Sequence, residues 1–198
     1  MKKHFYFGWV LMMSGVLLSC GGANVKGEGE EGSDLYVSPT GKGTDGAGTK
    51  ANPYTLAYAI TLLHPGKTIF LMEGTYAYSY PIKIDSTTDL LPAASASEMK
   101  TLMPATKDDG TEAKVIFDFS GMTFNSANRG LSFNTQYWHA KDFEVKGAGD
   151  NGVYIGGNHN TIENIEIHDC QDSGLQLGRR SSSDNTLDKW PTDNLILH

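Results

Sequence analysis

Arg179 and Arg180, with Lys189 and Trp190 a few residues on, have the side-chain types that hold acidic sugars. A guanidinium fork matches the two oxygens of a carboxylate, and an indole offers a flat face to a sugar ring. The same four residues also read as a solvated basic loop. Asp150, Asp169 and Asp172 are the second group. Brought together they would form a carboxylate ladder for calcium, which takes roughly six to eight oxygen ligands, although aspartate is equally an ordinary turn former. His139, His159 and His168 follow one another at intervals of 20 and 9, which is no metal-ligand spacing, so packing or turn hydrogen bonding is expected of them. Cys170 is the one cysteine after Cys20; it reads as a small buried filler.

These residues must be positioned by whatever folds between Gly130 and His198, and there one pattern recurs. Gly130-Leu-Ser-Phe133, Gly152-Val-Tyr-Ile155 and Gly174-Leu-Gln-Leu177 each join a glycine to an apolar/polar/apolar triplet, with the glycines 22 residues apart both times. A second row, Asp142-Phe-Glu-Val145, Asn164-Ile-Glu-Ile167 and Asn194-Leu-Ile-Leu197, has intervals of 22 and then 30. Period-two triplets with Gly, Asn and Asp between them are short strands and corners in an internal repeat. A leucine-rich horseshoe would need an L-x-x-L-x-L framework and a helical return. Segments such as Gly147-Ala-Gly-Asp-Asn151 and Gly156-Gly-Asn-His-Asn160 are too rich in turn formers for that.

The architecture predicted is therefore all-β, a right-handed parallel β-helix. At roughly 3.3 Å per extended residue, 22 residues close a flattened triangle of three short strands, and coils stack about 4.8 Å apart. Leu131/Phe133, Val153/Ile155 and Leu175/Leu177 are expected inside, with Tyr154 and Gln176 on the opposite face. The eight extra residues before Asn194 are expected to form a loop, Arg179 to Pro191, thrown out from one corner. Asn160, Asn164 and Asn194 are expected to satisfy backbone groups at the turns.

Residues 1–19 carry Lys2, Lys3 and an apolar core, and end at Leu17-Leu-Ser-Cys20-Gly21, which resembles a bacterial lipobox with Cys20 as the lipidated residue. The alternative is an ordinary signal peptide with an incidental cysteine. Residues 20–33 are a Gly- and Glu-rich flexible tether, leaving 34–198 as the β-helix. The expected location is the bacterial envelope, lipid-anchored at the outer membrane or cell surface, or secreted, with the lipid as the only membrane contact. The chain's formal charge is −7; losing Lys2 and Lys3 with the leader makes it −9, which excludes nucleic acid as a partner class. A monomer is expected.

Leu35-Tyr-Val37 opens the ordered part as a strand. Asn52 to Leu63 places Leu56, Ala59, Ile60 and Leu63 at helical spacing, and this short helix would cover the first coil, as capping elements of solenoids do. Thr68-Ile-Phe-Leu-Met72 reads as a strand, Glu73-Gly-Thr-Tyr76 as a turn, Ser86 to Gly110 as a loop, and Lys114-Val-Ile-Phe-Asp-Phe119 as a strand.

Gly66-Lys-Thr-Ile-Phe-Leu-Met-Glu-Gly-Thr-Tyr76, Val115-Ile-Phe-Asp-Phe-Ser120 and Tyr137-Trp-His-Ala-Lys-Asp-Phe-Glu-Val-Lys-Gly-Ala-Gly-Asp-Asn-Gly152 resemble the ninth family of polysaccharide lyases. So do Asn160-Thr-Ile-Glu-Asn-Ile-Glu-Ile-His168 and Asp172-Ser-Gly-Leu-Gln-Leu177, and the likeness runs from Asp34 to His198. It implies cleavage of an acidic plant-type polysaccharide, polygalacturonate of pectin or rhamnogalacturonan, by β-elimination. In the implied chemistry calcium binds the uronate beside the scissile bond, and a lysine removes the C5 proton. The Asp-Gly-Phe-type calcium signature of that family is not found in the sequence, so no catalytic residue is carried over. The expectation is the N-terminal portion of such a lyase, inactive at this length, with a non-catalytic surface-anchored glycan binder or adhesin as the alternative. An inverting polygalacturonase would need paired aspartates and a Gly-His-Gly element; no Gly-His-Gly occurs, and the adjacent Asp108-Asp109 falls in the loop of 86–110.

Overall fold

The computed structural model describes residues 32–198 apart from 182, 184 and 185. Residues 1–31 lie outside the described set, so the leader, the lipidation expected at Cys20 and nearly all of the tether have no structural counterpart here.

Three parallel sheets stack into a right-handed β-helix. The first sheet contains β1 (Leu35–Lys42), β2 (Thr68–Leu71), β5 (Lys100–Pro104), β8 (Trp138–Lys141), β11 (Thr161–Glu163) and β14 (Leu195–Leu197), in that order. The second runs β4 (Ile82–Ile84), β7 (Leu131–Phe133), β10 (Val153–Ile155) and β13 (Leu175–Leu177). The third runs β3 (Gly74–Ala77), β6 (Val115–Asp118), β9 (Glu144–Lys146) and β12 (Glu166–His168). Every pairing is parallel and in register, so side chains at the same coil position lie above one another.

The inward rows form the core. Ile69, Leu102, Ala140 and Ile162 follow one another in the first sheet, and Tyr76, Phe117 and Val145 in the third. Val153 and Ile155 are fully buried between Leu131/Phe133 and Leu175/Leu177. Each fully buried aliphatic or aromatic side chain is worth about 1.5–3 kcal/mol, so the repeat of apolar triplets is also a repeat of stabilisation. Leu175 is half-buried and Leu177 is 46% exposed, because no described strand stacks beyond β13.

The helix α1 spans Leu56–Leu62, shorter than the predicted 52–63. Thr55 is its N-cap, its side chain accepting from the Tyr58 amide, and Asn52 and Tyr54 are taken into β-bridges instead. Its apolar stripe, Leu56, Ala59 and Ile60, is buried and joins the core of the first coil, as does Leu63 just after it.

Three sequence expectations are corrected. Glu73 to Tyr76 is not a turn alone, since β3 begins at Gly74. The loop assigned to 86–110 contains β5, whose first residue, Lys100, is a fully buried charge that breaks the apolar alternation. The last correction concerns register. β14 pairs with β11, Thr161 opposite Leu195, so Asn194 continues the row of Asn160 and not that of Asn164. The inserted loop is thus twelve residues longer than a regular coil, not eight. His159 and Asp193, both at φ 56, mark the same left-handed corner one coil apart.

Candidate functional site

The outward face of the second sheet holds a row of Lys83, Ser132, Tyr154 and Gln176, one residue from each strand. Tyr154 points outward as the alternation requires, yet only 2% of it is exposed. It is covered from two sides. The Arg129 guanidinium, from the loop leading into β7, lies 3.5 Å from the centre of its ring, a cation–π contact. On the other side its hydroxyl donates to the Arg179 carbonyl. Gly178 leaves the space this requires: a Cβ there would come within 2.7 Å of the Tyr154 hydroxyl.

From this anchor the loop between β13 and β14 carries the four residues singled out by type. The Arg179 guanidinium lies 5.3 Å from the Trp190 ring centre, and Trp190 is 45% exposed. Arg180 Nη1 lies 3.4 Å from the Asn134 carbonyl, which its N–H meets from the corner after β7. Gly156 makes that approach possible, since a Cβ there would meet Arg180 Cγ at 2.7 Å. Lys189 closes a short 3-10 turn, Leu187–Lys189, just before Trp190. The fold thus joins Arg179 to Trp190, sets Arg180 beside the neighbouring coil, and adds Arg129, which sequence reasoning missed. The available signal for Arg129 was its place directly before Gly130, at the entry to a repeated strand.

The three aspartates do not converge. Asp150 pairs with Arg129, Oδ2 lying 3.4 Å from Nε. Asp172 accepts from Asn151 Nδ2 at 3.0 Å. Asp169 sits at a different corner, in the left-handed region at φ 55, beside His168. Among the described residues no group of three His, Cys, Asp or Glu side chains is arranged to hold a metal ion. The donor set present does not fit calcium.

The histidines have protein partners. His139 meets Glu163 at 2.7 Å on the outer face of the first sheet, and His159 stacks on Tyr137, ring centres 4.7 Å apart. His168 lies between Asp169 at 2.9 Å and Glu144 at 3.1 Å. Hydrogen bonding to Asp169 first, and then to Glu144, raises its pKa. A histidine whose pKa is higher folded than unfolded adds stability that is full below its unfolded value near 6.5 and is lost as pH rises through the folded value. Unfolding free energy is therefore expected to fall over that window in the unaltered chain, and His168→Gln, measured by urea denaturation across pH 5.5–8.5, is expected to remove this component. Cys170 is half-buried, and its burial pushes the thiol pKa up, which disfavours the reactive thiolate.

A corner of this solenoid forms a groove of about 410 Å3 between the first and third sheets, with Lys114, Asp142, Glu144 and Glu166 among its walls. Its carboxylates outnumber its cations, so it is a poor receptor for an acidic chain. The outer face of the second sheet is the better one.

Stacked coils with arginine–aromatic contacts on one outer face define a parallel β-helix protein. A family model described as "Pel9A-like, right handed beta helix region" matches residues 35–195, and the chain belongs to that family. Among curated relatives, a pectate lyase L of Paenibacillus polymyxa (strain SC2) is 48% identical over 165 residues, 83% of this chain and 34% of that protein. A pectate disaccharide-lyase of Dickeya chrysanthemi is 35% identical over 167 residues, 83% of this chain and 18% of the relative. The chain thus spans about a third or less of the length of these relatives. In fold it is similar to the crystal structure of pectate lyase Pel9A, with TM-score 0.66 and 23% identity over 85% of this chain and 39% of that one. It is similar also to a rhamnogalacturonan lyase, with TM-score 0.57 and 16% identity over 84% of this chain and 50% of that one.

Proposed function

We propose that this chain supplies coils and a polyuronate-binding surface to a polysaccharide lyase that cleaves pectate-type or rhamnogalacturonan polysaccharide by β-elimination. The observation that carries the reading is the paired arginine–aromatic arrangement on one outer face, Arg129 on Tyr154 and Arg179 beside Trp190. Guanidinium groups supply two-pronged donors to carboxylates, and the half-exposed indole supplies a stacking face. The names of the relatives, pectate lyase and rhamnogalacturonan lyase, support the same substrate class.

The elimination is not assigned to any described residue. Asp150 and Asp172 are engaged with Arg129 and Asn151, and Asp169 is apart from both. A face equipped for binding without such a centre also favours the second reading, a non-catalytic glycan binder. The purified chain is expected to be retarded on a native gel containing polygalacturonate. With calcium present it is expected to give no rise in the ultraviolet absorbance of the unsaturated 4,5 product. Unretarded migration would sink the binding surface, and a calcium-dependent rise would place cleavage within these residues.

A further inference from the structure

We infer that Arg129 is a preorganised receptor for one hexuronate carboxylate, a binding residue distinct from the loop of Arg179 and Arg180; the inference rests on the polyuronate reading above. An exposed arginine usually spends side-chain entropy when it grips a ligand. Arg129 has already spent it. Its guanidinium is laid on the buried Tyr154 ring at 3.5 Å, and Asp150, only 11% exposed, stands 3.4 Å from its Nε. Nε itself is buried and makes no fully formed hydrogen bond, so Asp150 fixes the group by charge and proximity.

A guanidinium has two usable edges. The Nε side faces Asp150, and no described residue accepts from the two terminal nitrogens, while the side chain remains 31% exposed. That is the arrangement that accepts a carboxylate through two parallel N–H donors. Tyr154 ties this group to the loop, since its hydroxyl donates to the Arg179 carbonyl. Ligand oxygens at Arg129 and a sugar face at Trp190 would therefore lie on the two sides of one buried tyrosine. Arg129 and Asp150 together are neutral, so the ligand's carboxylate is held by the two directed N–H donors of the terminal edge and not by a net positive charge.

The test is calorimetric titration of the chain with oligogalacturonate and with the same oligomer fully methyl-esterified. The unaltered chain is expected to bind the acid form about tenfold or more tightly than the ester, and Arg129→Lys to lose about tenfold for the acid form alone, with an unchanged melting temperature. Lysine keeps Asp150 paired but cannot present two parallel donors. Equal affinity for acid and ester would overturn carboxylate recognition. Binding by Arg129→Lys and Arg129→Gln equal to that of the unaltered chain would overturn the role of Arg129 while leaving the polyuronate surface standing. Failure of the unaltered chain to bind either oligomer would overturn both.

Discussion

Asp89→Ala is expected to destabilise the protein by about 3–5 kcal/mol, the cost of removing one partner from a buried ion pair. Lys100, the first residue of β5, is fully buried, and its ammonium is paired with Asp89, whose side chain is 7% exposed. The second Asp89 oxygen accepts from Trp138 Nε1 at 3.0 Å and lies 3.4 Å from the Thr135 hydroxyl, which donates to it. Removing the carboxylate leaves a charge in the core without a counter-ion and an indole N–H without an acceptor. Both penalties fall on the folded state alone. Equilibrium urea unfolding of Asp89→Ala checks the size. The double replacement Asp89→Leu with Lys100→Met is expected to recover only part of the loss, because it removes the lone buried charge but still leaves the Trp138 indole N–H without its acceptor. A loss under about 1 kcal/mol in the single variant would mean that water reaches Lys100 and that the pair is not buried in solution.

The same pair explains which parts of the fold could be read from sequence. The 22-residue period is legible because each coil repeats its inward Leu, Val, Ile or Phe at the same place, and burial is what that pattern records. β5 escapes the pattern because Lys100 opens it, and the partner that makes a buried lysine tolerable is Asp89, eleven positions away in a long loop. β14 was placed in the wrong row because Asn194-Leu-Ile-Leu197 looks as much like Asn164-Ile-Glu-Ile167 as like Asn160-Thr-Ile-Glu163. Only the stacked corners, His159 over Asp193 and Asn160 over Asn194, decide between them. In the site, Arg179 and Trp190 were legible together because one loop carries both. Arg129 was not, because its partners Tyr154 and Asp150 lie one coil on, and charge type alone does not show a ring beneath a guanidinium.

Two long connections leave the solenoid at the corner between the second and first sheets: β4 to β5 with Asp89, and β13 to β14 with Arg179 and Trp190. The short connections between them, after β7 and β10, set the base from which the second loop departs. Asn160 is the central residue of that base.

Asn160→Ala is expected to cost about 2–4 kcal/mol, since it leaves the buried Trp138 amide and the part-buried Thr135 carbonyl unpaired at about 1–3 kcal/mol each, the second partly relieved by water. Asn160 is fully buried. Its Oδ1 accepts from the Trp138 amide at 3.0 Å, and its Nδ2 donates to the Thr135 carbonyl at 3.0 Å. One coil on, Asn194 repeats the device, Oδ1 accepting from the Asn160 amide at 2.9 Å and Nδ2 donating to the Gly157 carbonyl at 2.9 Å. Asn194 is half-buried, so water can replace its bonds, and Asn194→Ala is expected to cost less, about 1 kcal/mol. Asn160→Asp keeps the acceptor but sets a carboxylate oxygen against the Thr135 carbonyl, so it too is expected to destabilise. Urea midpoints at unchanged slope order the three variants. If Asn160→Ala and Asn194→Ala cost the same, burial is not what gives this ladder its strength. If Asn160→Ala costs more, the corner that launches the arginine loop is held by the buried member of the pair, and oligogalacturonate affinity should fall with it only where the fold itself is lost.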